Sequence, residues 1–291
     1  QWLFYAFSKL RTLLYSILAV VGNFNSSATL ASAPIYNKNK LVEVSPSSSA
    51  PKVTKAGPYI YRVITTDAFQ ASYVADWSKE LGYYKVAFLY EQSDFGQGLL
   101  DVYKKESAKV GIDVVLTETY TTGQTTDFST ILTKVKEKQP DAVFIGGFYN
   151  EAALITQQAQ RLGIKTNYIG VDSLFSSALL KQGGTAVEGF HLIGFFDPNG
   201  DNQQAKDFYS AYQKAYSKEP DSYAAYAYDA VSVIFEAIKK GGADRESIKN
   251  ALDNIKDFKG TTGTFSFDQN GDVQTTPSRL VIQNNKFELV K

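Results

Sequence analysis

Two short segments of this 291-residue chain concentrate small hydrogen-bonding side chains: "GNFNSSAT", residues 22–29, and "SPSSSAP", residues 45–51. Each follows an apolar run, and the first opens a stretch of helical period. Hydroxyls at a helix start stand beside backbone N–H groups that lack an intrahelical partner, where the helix dipole favours an anion by about 0.3–1 kcal/mol. The chemistry on offer is recognition of a small carboxylate, by hydrogen bonds that strengthen as water is excluded. Read from the residues alone, the same serines serve equally well as helix caps and as shapers of a Pro-rich turn.

Other chemistries find little material. Thirty basic residues balance thirty acidic ones, so the charge gives no support to a nucleic-acid or anionic-membrane surface. Cysteine is absent, which excludes disulfides, thiolate metal sites and cysteine nucleophiles. The single histidine, His191, is embedded in "EGFHLIGFF" and reads as a strand residue; a His-rich zinc site is excluded, and a Ser-His-Asp triad would have to use it. The chain has no G-x-S-x-G elbow and no G-x-G-x-x-G, and "GNFNSSAT" lacks the second glycine and the lysine of a phosphate loop. "DQNGD" (268–272) begins like a calcium loop, but Val273 stands where glycine is required and Arg279 where a glutamate belongs, so a plain turn is expected. These absences predict a protein that is not an enzyme and uses no cofactor or metal. At the N-terminus, "QWLFYAFSKLRTLLYSILAVV" is interrupted by Lys9 and Arg11; it reads neither as a membrane span nor as a signal peptide, and no signal sequence is visible.

The elements that must position the hydroxyl loops alternate regularly. "ILAVVG" (17–22) reads as a buried strand, "SSATLASAPIYNKN" as a helix with Ala28, Leu30, Ala31 and Ile35 inward, and "LVEVS" as the next strand. In "FQASYVADWSKELG", Phe69, Tyr73, Trp77 and Leu81 fall four apart on one helical face, and Gly82 closes the helix. "KVAFLY", "DVVLTETY", "DAVFIGG" and "TNYIGV" read as further strands, with helices between them that end on Gly111 or begin at Asp127. The all-apolar "DAVFIGG" is of the kind covered on both faces. Such alternation predicts an α/β fold of doubly wound parallel sheets, with more units than one small lobe holds. The tail, "GTFSFDQNGDV" and "SRLVIQNNKFELVK", reads as strands joined by tight turns, with Asn270-Gly271 as a hairpin signal. In such a fold the functional crevice lies beyond the carboxyl ends of the strands, which is where both hydroxyl loops fall.

The run "VVGNFNSSATLASAPIYNKNKLVEVSPSSSAPKVTKAGPYIYRVITTD" resembles the type 1 periplasmic binding proteins, and within them the leucine/isoleucine/valine-binding branch. The likeness continues through "VAFLYEQSDFGQGL", "DFSTILTKVKEKQPDAVFIGGFYNEAALITQQAQRLGI", "AYDAV" and "GTFSFDQNGDV", covering nearly the whole chain from about residue 17. The resemblance implies two lobes joined by three crossovers, near 63–66, 194–195 and the "SFDQNGD" region. Residues 1–65 and 195–266 would form the first lobe and residues 66–194 and 267–291 the second. Residues 1–16 do not supply the strand-helix-strand-helix unit with which that family begins, and at most "FSKLRTLLYS" resembles its second helix; an incomplete, truncated first lobe is therefore expected.

Carried over position by position, the resemblance makes Ser26 and Ser49, with the backbone of Ser47, the clamp for a ligand α-carboxylate. The Ser47 carbonyl and Ser49 hydroxyl would also meet the ammonium, as would Asp172 in "IGVDSLF". Phe95 and Phe148 would close over the ligand from the second lobe, and Tyr223 would line the side-chain pocket. Asp172 also reads as a helix cap and Phe148 as a core residue, and Phe95 departs from the tyrosine expected in close relatives. The function implied is an extracytoplasmic solute-binding protein, periplasmic or at the cell surface, that captures a branched-chain or other neutral amino acid and delivers it to the permease of an ABC importer. It would be a monomer without a nucleic-acid partner. The alternative is a ligand-sensing domain of a receptor or regulator, built on the same fold.

Overall fold

A computed structural model describes residues 17–290; the expectations for residues 1–16 lie outside them. The chain begins with β1 (Ala19–Val21), α1 (Ser26–Lys38), β2 (Val42–Ser45) and β3 (Ile60–Arg62), whose strands form a parallel sheet in the order β1-β2-β3. It then enters a second sheet through α2 (Asp67–Glu80). There follow β4 (Lys85–Glu91), α3 (Asp94–Val110), β5 (Asp113–Tyr120), α4 (Ser129–Lys138), β6 (Ala142–Gly146), α5 (Tyr149–Arg161), β7 (Asn167–Gly170), α6 (Ser177–Gly183) and β8 (His191–Gly194). Beyond β8, α7 (Gln203–Tyr216), α8 (Ser222–Gly241) and α9 (Arg245–Asp253) return to the first region, where α8 packs on β1 and β2. A small antiparallel ladder, β9 (Phe258–Gly260) with β10 (Gly263–Phe265), precedes β11 (Ser278–Gln283) and β12 (Lys286–Leu289). The second sheet has the order β12-β11-β8-β7-β6-β4-β5, parallel except at β11 and β12.

Alternation along the central strands explains why both faces of this sheet are dry. Val86 and Phe88 of β4, with Phe144 of β6, join one apolar cluster that runs through α2, α3 and α8 to Val42 and Val44 of β2. Their neighbours Ala87 and Leu89, with Val143 and Ile145, join a second cluster beneath α4, α5 and α6. Successive side chains of a strand point to opposite faces, so an unbroken apolar run is what a doubly covered strand requires. Capping is orderly: Ser93 accepts the Phe95 N–H at the start of α3, and Asp221 accepts that of Ala224 at the start of α8.

Four local expectations need correction. β1 is half-buried rather than buried, with Val21 exposed, because it has a strand neighbour on one side only among the described residues. The buried face of α1 is Ser26, Thr29 and Ala33, while Ala28, Ala31 and Ile35 are exposed. The reason is Glu43, a fully buried carboxylate in β2 that takes hydrogen bonds from Thr29 Oγ1 at 3.0 Å and Ser32 Oγ at 3.2 Å. A buried charge demands polar partners, and α1 turns its hydroxyls to it. On α2, Phe69 and Tyr73 are half-buried, and the deepest side is Ala71, Val74, Ala75, Trp77 and Ser78. Asn270-Gly271 joins no ladder: it lies in a turn closed by Asp268, and the hairpin turn is Asn284-Asn285 between β11 and β12, both residues with positive φ.

Candidate functional site

A cavity of about 180 Å³ lies where the two sheets meet. Its walls are the loop before α1, the serine loop after β2, the turns after β4, β6 and β7, and the start of α8. In the second sheet the strand order changes direction between β4 and β6, since β5 lies outside β4 and the later strands extend the other way. Ligand crevices form at such a switch, where two loops part. Phe95 follows β4 and Phe148 follows β6, so the topology sets both aromatic rings at that opening, 5.6 Å apart.

All seven residues singled out in the sequence, Ser26, Ser47, Ser49, Phe95, Phe148, Asp172 and Tyr223, line this one cavity. The serine loop divides its labour. Ser45 Oγ donates to the Asn23 carbonyl at 2.6 Å and accepts the Ser48 N–H at 2.9 Å, while Ser48 Oγ meets Thr29 Oγ1 at 2.8 Å. These two hydroxyls bind the loops to each other, so the turn-shaping reading applies to them. Ser47 and Ser49 are left facing the cavity. Ser26 Oγ accepts the Ala50 N–H at 3.2 Å, which leaves its own hydrogen free to donate. No side chain caps α1, so its first N–H groups remain available beside that hydroxyl.

On the opposite wall, Asp172 is buried in the 3-10 turn after β7, and its Oδ2 accepts the Tyr226 hydroxyl at 2.9 Å. Burial pushes its pKa up to about 6, against the opposing pull of that hydrogen bond. Its backbone N–H reaches Gln70 Oε1 at 3.5 Å. Tyr223 does not point a free hydroxyl into the cavity: it donates to the Ser173 carbonyl at 2.9 Å and offers its ring instead.

Sequence reasoning missed Phe24, which packs on Tyr223 at 4.9 Å and Phe148 at 6.3 Å, and the further lining residues Ile64, Glu91, Ser93 and Thr122. Glu91 ends β4 at its carboxyl end, a positional signal that was available. Burial raises its pKa, while the Ser93 hydroxyl and the Gly96 N–H oppose the rise. Among the described residues, no lysine or arginine lines the cavity. The charged groups among its lining residues are the carboxyls of Glu91 and Asp172, and the opposite polarity is offered by hydroxyls and helix-start N–H groups.

An α/β protein whose two sheets enclose a polar-ended, aromatic-walled cavity belongs to the class that holds a small solute between lobes. The sequence profile of the periplasmic binding protein family matches residues 8–286, and this chain belongs to that family. It is 32% identical over 264 residues to "Leu/Ile/Val-binding protein homolog 1" of Brucella suis, covering 87% of this chain and 68% of the relative. It is 30% identical over 263 residues to the leucine-, isoleucine-, valine-, threonine-, and alanine-binding protein of Pseudomonas aeruginosa, with 88% and 68% covered. The fold superposes on a leucine binding protein from Thermotoga maritima with a TM-score of 0.88 at 32% identity, covering 94% of this chain and 79% of the other. The branched-chain amino acid transporter substrate binding protein of Streptococcus pneumoniae, in complex with isoleucine, gives 0.85 at 31% identity, with 95% and 81% covered.

Proposed function

We propose that this protein captures a neutral amino acid, branched-chain aliphatic ones best, outside the cytoplasm and delivers it as a monomer to the membrane permease of an ABC importer. One observation carries the reading: the cavity sets the uncapped start of α1 and the hydroxyls of Ser26 and Ser49 on one wall and the Asp172 carboxylate on another, with no cation lining it among the described residues. That arrangement complements a zwitterion. In this reading Ser26, Ser49 and the Ser47 backbone hold the α-carboxylate, Asp172 holds the ammonium, and Phe95, Phe148 and the Tyr223 ring enclose the side chain. The volume supports it, because drug-sized sites run to roughly 300–1,000 Å³ and this one is smaller. The relatives' described ligands point the same way. Residues 1–65 with 195–266 act as one lobe and 66–194 with 267–291 as the other, closing on the ligand.

Titration calorimetry against the twenty amino acids tests this. Leucine, isoleucine and valine are expected to bind one to one, and the α-keto acid of leucine, which lacks the ammonium, at least about 30-fold more weakly, since removing one member of a buried charge pair costs about 2–5 kcal/mol. No heat with any amino acid would overturn the proposal.

A further inference from the structure

One buried group beside the clamp has no partner. Asp67, the first residue of α2, is fully buried, and neither of its carboxyl oxygens has a hydrogen-bond partner among the described residues. Arg62, the cation acting on it, is committed elsewhere: its Nε donates to Asp272 Oδ1 at 2.7 Å, and its other nitrogens reach the carbonyls of Ser48 and Ala50 and Thr54 Oγ1. The remaining charged group that bears on Asp67 is Asp172, of like sign. An ionised carboxylate there would be buried with no hydrogen bond of its own, a cost that outweighs the pull of Arg62 and Ser49 and favours the protonated form. Burial accordingly holds its pKa well above the usual carboxylate range.

A protonated carboxyl has a hydrogen to give, and Ser49 is beside it. The Ser49 carbonyl already takes the Asp67 backbone N–H at 2.9 Å, and the Ser49 hydroxyl stands close enough to the Asp67 carboxyl to oppose the rise in its pKa, though no hydrogen bond joins the two here. We propose that in the liganded protein Asp67, as a neutral acid, donates to Ser49 Oγ and so turns the Ser49 hydrogen toward the ligand carboxylate. Ser26 is set in the same way by the Ala50 N–H, which occupies its oxygen and frees its hydrogen. Ionised Asp67 would reverse the polarity: Ser49 would donate inward and present lone pairs to an anion. Asp67 is thus a positioning residue acting through Ser49, an inference that rests on the proposed carboxylate clamp.

The test is L-leucine affinity by calorimetry between pH 6 and 9.5 for the wild type, Asp67→Asn, Asp67→Ala, Ser49→Ala and the Asp67→Ala/Ser49→Ala double variant. The asparagine amide donates from the same place and never ionises, so Asp67→Asn is expected to bind within about threefold of wild type at pH 7 and to lack its extra alkaline loss. The ligand ammonium titrates alike in both, so their difference isolates Asp67. Asp67→Ala is expected to weaken binding about tenfold, and that loss to vanish in the Ser49→Ala background. Coincident alkaline profiles for wild type and Asp67→Asn, or an Asp67→Ala loss that persists without the Ser49 hydroxyl, would overturn the inference. Should Asp67→Ala fail to melt cooperatively, the comparison of wild type with Asp67→Asn decides. A wild type that binds no amino acid removes the clamp and this inference with it, whereas binding with coincident profiles removes the inference alone.

Discussion

Asp172 shows how a buried carboxyl in the cavity opposes stability at the scale of one side chain. Its folded pKa of about 6 lies above the ordinary 3.8. The unliganded fold therefore keeps a proton that the unfolded chain releases as pH rises between those values. Stability is unaffected below about pH 3.8, declines through that window, and is lower by about 3 kcal/mol at neutral pH, at 1.36 kcal/mol per unit. Asp172→Asn is expected to melt higher than wild type at pH 7 but not at pH 4, while losing about 100-fold in leucine affinity; scanning calorimetry and titration would show the two effects moving in opposite senses. In the proposed binding mode, with Asp172 holding the ammonium, leucine binding displaces the proton below pH 6. The apparent Kd should then rise about tenfold per pH unit from 6 to 5, with proton release visible in buffers of different ionisation heat.

Among the elements, β3 and α3 hold the cavity walls in place. Arg62 of β3 is fully buried, and its guanidinium ties the serine loop, through the Ser48 and Ala50 carbonyls, to Asp272 in the turn before β11. Arg62→Met leaves Asp272 and two carbonyls without that partner. A loss of about 3–5 kcal/mol in denaturant unfolding is expected, the cost of breaking a buried pair from one side. At the start of α3, a Cβ on Gly96 would stand 2.1 Å from the Glu91 carbonyl oxygen. Gly96→Ala must shift the first turn and Phe95 with it, so leucine affinity should fall along with the melting temperature. Element identity was largely legible, because apolar runs and caps are local signals. The inward face of α1 was not: it answers to Glu43 on a neighbouring strand, and no periodicity within the helix reports that.

Over the whole molecule, contacts bridge the cavity mouth. Lys52 in the 3-10 turn after the serine loop pairs with Asp94 at 2.7 Å, and Ser27 Oγ donates to the other Asp94 oxygen at 3.1 Å. The Lys52 ammonium holds the Asp94 carboxyl below its ordinary pKa. Exposed pairs contribute little, about 0.2–1 kcal/mol, and salt screens them. Asp94→Ala is expected to speed leucine dissociation two- to fivefold in stopped-flow fluorescence at low salt, and the difference should shrink in 0.5 M NaCl. An unchanged dissociation rate at low salt would show that the bridge does not hold the closed arrangement.

By itself the sequence determined the α/β alternation and the two hydroxyl loops at strand ends, because hydroxyl-rich stretches after apolar runs mark loops that meet at a crevice, while the seven residues now found among those lining one cavity came from the family resemblance. It could not divide the serine loop into Ser45 and Ser48, which join loops, and Ser47 and Ser49, which face the cavity. Nor did it mark Asp67, an ordinary acidic residue at a helix start until burial removes both its water and its partners. Those distinctions depend on which groups lie within hydrogen-bond reach across the fold, and on how far water is excluded there. Both are set by the packing of segments distant in the chain, so only the tertiary structure decided them.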